Sequence, residues 1–250
     1  MFGRGASSGP TLNGAPQHGA CTGLGMMPQK NRSNERCQWA SACLAAWTAV
    51  VGTLVVFTGA FLMEKTRGFG WVRNTTHLMA MLSMAVPGLV LGLSYIFFFN
   101  TPGHPLGFIY GTMAILVLNS VAHFYTVSHI TAITALKQLD SEFESVSASL
   151  KVSVGRMFSR VTVPVCLPAV LDISIYLFVN AMTTVSAVVF LYAPQTQLAS
   201  VAVRNMDDAG DVAPAAAMAV LIFLTSAAVR GLFAIASAWT LRRTQAWRER

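Results

Sequence analysis

Lys137-Gln138-Leu139-Asp140-Ser141-Glu142-Phe143-Glu144-Ser145-Val146-Ser147-Ala148-Ser149-Leu150-Lys151-Val152-Ser153-Val154-Gly155-Arg156-Met157-Phe158-Ser159-Arg160, with Val161-Thr162-Val163-Pro164 after it, is a polar island between two long apolar runs. Over the whole chain 54% of residues are hydrophobic and only 11% are charged, with a mean hydropathy of +0.56. Soluble domains carry about 25% charged residues. The chain therefore reads as an integral membrane protein, and the island as a segment of it that meets something outside the bilayer. The net charge of +7 raises nucleic acid as a partner. The basic residues, however, sit in short loops between apolar runs rather than on one face, which is the positive-inside pattern and argues for no nucleic acid.

Working outward from the island, apolar runs of roughly 20 residues, long enough to span a bilayer, recur at Trp39 to Met63, His77 to Phe99, Leu106 to Leu136, Val161 to Tyr192 and Val212 to Leu241. Pro87-Gly88 is expected to kink the second run. Lys65, Arg67 and Arg73 occupy the first loop, Lys137, Lys151, Arg156 and Arg160 the island, and Arg242, Arg243, Arg248 and Arg250 the tail. The alternate loops are nearly free of basic residues. The expected fold is thus an all-α membrane protein of about five transmembrane helices, with the island and the C-terminus in the cytoplasm. Residues 1–38, rich in Gly, Ser, Pro and Asn, are expected to be a disordered tail, and 39–250 the transmembrane domain. That orientation puts a tail carrying Arg4, Lys30, Arg32 and Arg36 outside, against the charge rule. An upstream helix that relatives have and this chain lacks is the favoured explanation.

Within the island, Phe143, Val146, Leu150, Val154 and Met157 recur at spacings of three and four, which places one apolar stripe on a helix. Asp140 or Ser141 can cap its start, and Glu142 and Glu144 suit the first turn. Gly155 offers a break. From pattern alone, a helix lying on membrane lipid headgroups and a helix set into the groove of a cytoplasmic partner are equally good readings.

The island also resembles the cytoplasmic loop of inner-membrane permeases of binding-protein-dependent ABC importers, whose motif is Glu-Ala-Ala, three residues, Gly, nine residues, then Ile-x-Leu-Pro. Placing the motif proline on Pro164 puts its Ile and Leu on Val161 and Val163, and its Gly on Lys151. Its Glu-Ala-Ala falls on Ser145, Val146 and Ser147, with Glu144 one position before the motif glutamate. Gly155 is expected to take over the turn that the motif glycine makes. Gly59 to Gly68, Met84 to Leu93 and Phe178 to Ala187 look like a narrower branch, the 2-aminoethylphosphonate and ferric-iron importer permeases. The likeness is greatest to the C-terminal half of the phosphonate permeases. The resemblance implies ATPase docking through Phe143, Glu144, Val146, Leu150, Lys151, Val154, Gly155 and Pro164. It also implies a cytoplasmic ABC ATPase dimer, a second permease half and a periplasmic substrate-binding protein as partners, and a multi-pass place in a bacterial inner membrane.

Few polar groups fall inside the runs. Asp172 and Arg230 lie at comparable depth when counted from the inner ends of the fourth and fifth runs, so an intramembrane ion pair is expected. Asn180, Thr183, Thr184 and Ser186 are candidates for the translocation path, with interhelical hydrogen bonding as the plainer role. His123 and His129 read as packing residues. Cys21, Cys37, Cys43 and Cys166 have no metal-ligand spacing. The sequence holds no phosphate loop of the GxxxxGK[ST] type and no catalytic constellation. The expectation is a subunit that is not an enzyme and takes no cofactor, importing 2-aminoethylphosphonate with ATP hydrolysed by a separate partner. A ferric-iron permease, a secondary carrier and a nonfunctional truncated half-permease are the alternatives.

Overall fold

The computed structural model describes residues 27–65, 70–101, 105–139, 149, 151–193 and 196–244, and among them there are helices and turns but no strand. The apolar runs become helices because that is how backbone polar groups are satisfied away from water. α1 (Met27–Lys65) is long and continuous; α2 (Gly70–Ala85) and α3 (Gly88–Phe99) follow. After a short 3-10 turn at Gly107–Ile109 come α4 (Met113–His123) and α5 (Tyr125–Lys137). α6 (Val154–Val165) contains a π turn at Phe158–Thr162. α7 (Leu167–Thr183), α8 (Ala199–Asp208) and α9 (Val212–Thr244) complete the chain. Asn34–Glu64 and Val212–Ala238 are each long and apolar enough to cross a membrane alone, and counting three bent pairs as single spans gives up to five.

α1 is the hub. It packs along α7 and also touches α4, α5 and α8, while α9 rests on α7 and α8. At one end Phe57, Phe61, Leu136, Cys166 and Ile173 share a core with Phe158, whose ring lies 4.5 Å from that of Phe61. At the other end Leu44, Phe99, Ile115, Leu116, Leu191 and Leu198 form a second core. The C-terminal ends of α1 and α5 and the first turns of α6 therefore lie on one side. This is the side to which the charge pattern assigns the first loop and the island.

Three departures from the expected spans have physical causes. Helix begins at Met27, so residues 27–38 are not the disordered segment expected; Cys37 is buried in a core with Ala45, Ala181 and Met218. The fourth apolar run is not one helix through Tyr192. α7 stops at Thr183 and the chain turns from Ser186 to Leu191. The segment read as an outer loop holds α8, amphipathic, with Ala199, Val201, Ala202 and Met206 buried and Arg204 bonded to Asp208 at 3.2 Å on its outer face. Side chains from other helices fix it: the amide of Ala199 donates to Ser41 Oγ at 2.8 Å, satisfying one of the donors a helix start leaves open. Ser200 Oγ donates to the carbonyl of Thr184 at 2.7 Å.

Candidate functional site

Two features could serve a transporter: the turn that ends the island, and a buried junction of broken helices. Of the expected docking residues, Phe143, Glu144, Val146 and Leu150 lie outside the described residues. Lys151 is described, and its φ of +50° makes it the one non-glycine residue with positive φ among those described. That left-handed conformation costs an L-residue roughly 1–2 kcal/mol, and glycine adopts it freely. Lys151 is the position that aligns with the motif glycine. Gly155, expected to make the turn instead, lies inside the helix that starts at Val154, with open space where a Cβ would stand. The expected role of Gly155 is thus corrected: the turn is kept at the motif position even though glycine is not. Lys151→Gly should raise the stability of the chain by about 1 kcal/mol, read as a higher unfolding midpoint in detergent. Gly155→Ala, at a helical position with open space for the methyl group, should raise it as well, by about 0.4–1 kcal/mol, whereas it would lower it if Gly155 made the turn.

Beyond the turn, Val154 is 57% exposed and Arg156 and Arg160 are exposed. Met157 is buried, so the apolar stripe divides between an outward part and the core. Pro164 sits two residues after the last residue of the π turn, Thr162. Its ring crowds the carbonyl one turn back and it has no amide to donate, which favours such an irregular turn. α6 and α7 then meet at a 77° bend.

This bend changes the depth count for the expected ion pair. Asp172 rises only about 8 Å from the start of α7 while Arg230 lies about 16 Å from Leu241, at about 1.5 Å per residue. Among the described residues Asp172 and Arg230 make no ion pair, and both are exposed. Asp172 instead begins a strip on α7 with half-buried Tyr176 and Asn180 and exposed Thr183, spaced four, four and three. Asn180 Nδ2 donates to Tyr176 O at 2.7 Å and Thr183 Oγ1 to Val179 O at 3.0 Å, so both donors are turned into their own helix. Thr184 is buried where α7 ends, and is not on this strip.

The junction was not anticipated. α2 and α3 meet at 109° beside Pro87, and α4 and α5 at 58° at Phe124. The α2–α3 break and α4 both meet the unwound segment after α7. Asn119 Nδ2, fully buried, donates to Ala187 O at 2.6 Å. Ser83 donates to Ala122 O, a last-turn carbonyl of the kind an interrupted helix leaves without a partner. Thr126 Oγ1 donates to Ala80 O at 2.5 Å. Glycines permit the approach: a Cβ on Gly88 would stand 2.7 Å from Ser186 Oγ and 3.1 Å from His123, and one on Gly92 would stand 2.8 Å from Ala187 O. At the α4–α5 break a neighbour's hydroxyl thus meets a last-turn carbonyl, the kind of partner that irregular backbone at membrane depth needs.

Residues 56–241 match the family described as the inner membrane component of binding-protein-dependent transport systems. The chain belongs to that family. This permease is 33% identical over 185 residues to a ferric transport system permease protein of Actinobacillus pleuropneumoniae, covering 74% of this chain and 26% of that one. It is 25% identical over 191 residues to a protein described as a 2-aminoethylphosphonate transport system permease of Salmonella paratyphi A, covering 71% and 70%. The chain thus spans about a quarter of the length of its ferric relative. In fold it is similar to a chain of the MetNI methionine ABC transporter in an inward-facing conformation, with a TM-score of 0.68 at 12% identity, covering 88% of this chain and 99% of that one. A bacterial alginate ABC transporter gives 0.66 at 12% identity, covering 84% and 78%. The permease is a multi-pass inner-membrane protein.

Proposed function

We propose that this permease imports 2-aminoethylphosphonate delivered by a periplasmic binding protein, driven by a cytoplasmic ABC ATPase dimer that grips the island, and that it works with a second permease half. The observation that carries the docking role is the left-handed turn at Lys151. It falls at the motif glycine, on the side where the ends of α1 and α5 and the start of α6 are packed together. A push on the island reaches α1 through Phe158, which lies against Phe57 and Phe61. From α1 it reaches α7, its longest contact.

The strip Asp172, Tyr176, Asn180 and Thr183 is the path-facing side of α7 in this reading. An in-span carboxylate turned to lipid costs roughly 2.5–3.5 kcal/mol on insertion scales, so a second half or water covers it. The exposed sides of α3 and α9 are apolar, with Leu89, Val90, Phe97, Leu221, Phe223 and Leu224, and suit lipid.

Ferric iron is a second reading, favoured by the higher identity to the ferric relative. Uptake in cells that express this chain with a second permease half and the ATPase separates the two. Accumulation of labelled 2-aminoethylphosphonate, lost without the ATPase, is the expected result. Accumulation of ferric iron with none of the phosphonate would replace the first reading by the second.

A further inference from the structure

We propose that Arg73, His77, Tyr125 and His129 form a site for a phosphorus oxyanion, a phosphonate or phosphate group, where α2 packs on α5. His129 is fully buried, and neither ring nitrogen has a hydrogen-bond partner. Buried polar groups are nearly always paired, and an exception in a folded protein calls for an occupant or a role. Tyr125, one turn earlier on α5, stacks on it at 5.2 Å with the rings 21° apart. The His77 ring, from α2, lies 5.9 Å from it on the other helix. His77 and Arg73 are one turn apart on the exposed side of α2. The set thus has a closed end at His129 and an open one at His77 and Arg73.

The donor chemistry selects the ligand. A guanidinium and two imidazoles offer N–H groups and the phenol an O–H; forked guanidinium donors suit phosphoryl oxygens in particular. Neither α2 nor α5 contains an Asp or Glu, and Lys137 closes α5. A metal cation would face Arg73 with two imidazoles only: among the described residues no three His, Cys, Asp or Glu side chains are grouped to hold one. On the α1 side the Tyr125 hydroxyl comes 3.4 Å from where a Cβ on Gly59 would stand, so α1 leaves room for it. The soluble ligand of this class rests on the phosphonate reading. A phospholipid headgroup has the same chemistry and does not depend on it.

The test uses the full chain with 15N-labelled histidine. One arm holds it in dodecyl maltoside micelles, whose headgroup carries no phosphorus, titrated with methylphosphonate, the other in nanodiscs containing phosphatidylglycerol. A saturable shift of the His77 and His129 ring resonances in the first arm, unmatched by chloride, supports the site with a soluble ligand. The shift in the second arm alone supports it with a lipid phosphate. In Arg73→Gln and in His77→Gln, both at exposed positions, the affinity read at His129 should fall about tenfold, the loss of one such charge-assisted bond. No shift in either arm overturns the proposal, as does an unchanged affinity in both variants or a response to Co2+ alone. Should the site bind methylphosphonate while cells accumulate only ferric iron, the substrate reading fails and the site stands.

Discussion

Val146→Asp and Leu150→Asp should each abolish co-purification of the ATPase with this permease while leaving its membrane insertion intact. Both positions belong to the apolar stripe read from the island's sequence, four residues apart and ahead of the turn at Lys151. A helix set into a groove gains its affinity from apolar anchors at such positions. A carboxylate placed there must shed its water with no partner arranged for it. Removing one buried partner or burying one unpaired charge costs about 3–5 kcal/mol, which is two to three orders of magnitude or more in the dissociation constant. Insertion depends on the apolar runs, which neither change touches. Met157 belongs to the stripe by spacing but is buried in the chain itself, so Met157→Asp should instead lower the yield of folded protein. Normal co-purification of both island variants would remove the docking assignment.

Gly92→Val has the largest expected effect on folding. The added Cβ would stand 2.8 Å from the carbonyl oxygen of Ala187, a backbone atom that also accepts the Asn119 bond. No side-chain rotation relieves that contact, so α3 must move off the unwound segment after α7. Overpacking of this kind costs about 1–3 kcal/mol, and loss of the Asn119 bond adds the cost of a buried polar group left open, about 1–3 kcal/mol. The expected result is little monodisperse protein in detergent. Gly231→Val, on α9 with nothing within 4 Å of its Cβ position, should purify as the parent does. Equal yields from the two variants would contradict the close approach at the junction.

The difference between what the residues announced and what they did not is one of range. A local signal was legible: Pro87 acts within a few residues, and the chain bends beside it. The bend at Phe124 has no proline or glycine to mark it, and accompanies tertiary bonds such as Ser83 to Ala122 and Thr126 to Ala80. α8 was hidden because its apolar residues are small, although Ala199, Ala202 and Met206 recur at helical spacing. The assignment of the turn to Gly155 followed propensity, whereas the backbone keeps Lys151 in a left-handed conformation. Asp172 and Arg230 were matched by counting residues along a straight helix, and the bend at Cys166 breaks that count. The buried partner of Asn119, the carbonyl of Ala187, is 68 residues away, and nothing local points to it.

Energy is expected to enter this permease from a separate ATPase through the island. Proteoliposomes holding the chain, a second permease half and the ATPase, with binding protein and labelled substrate outside, measure it directly. Uptake that requires internal ATP, and that Leu150→Asp eliminates, is the predicted result. Uptake that continues without the ATPase, driven by an ion gradient, would contradict the account and make the chain a secondary carrier.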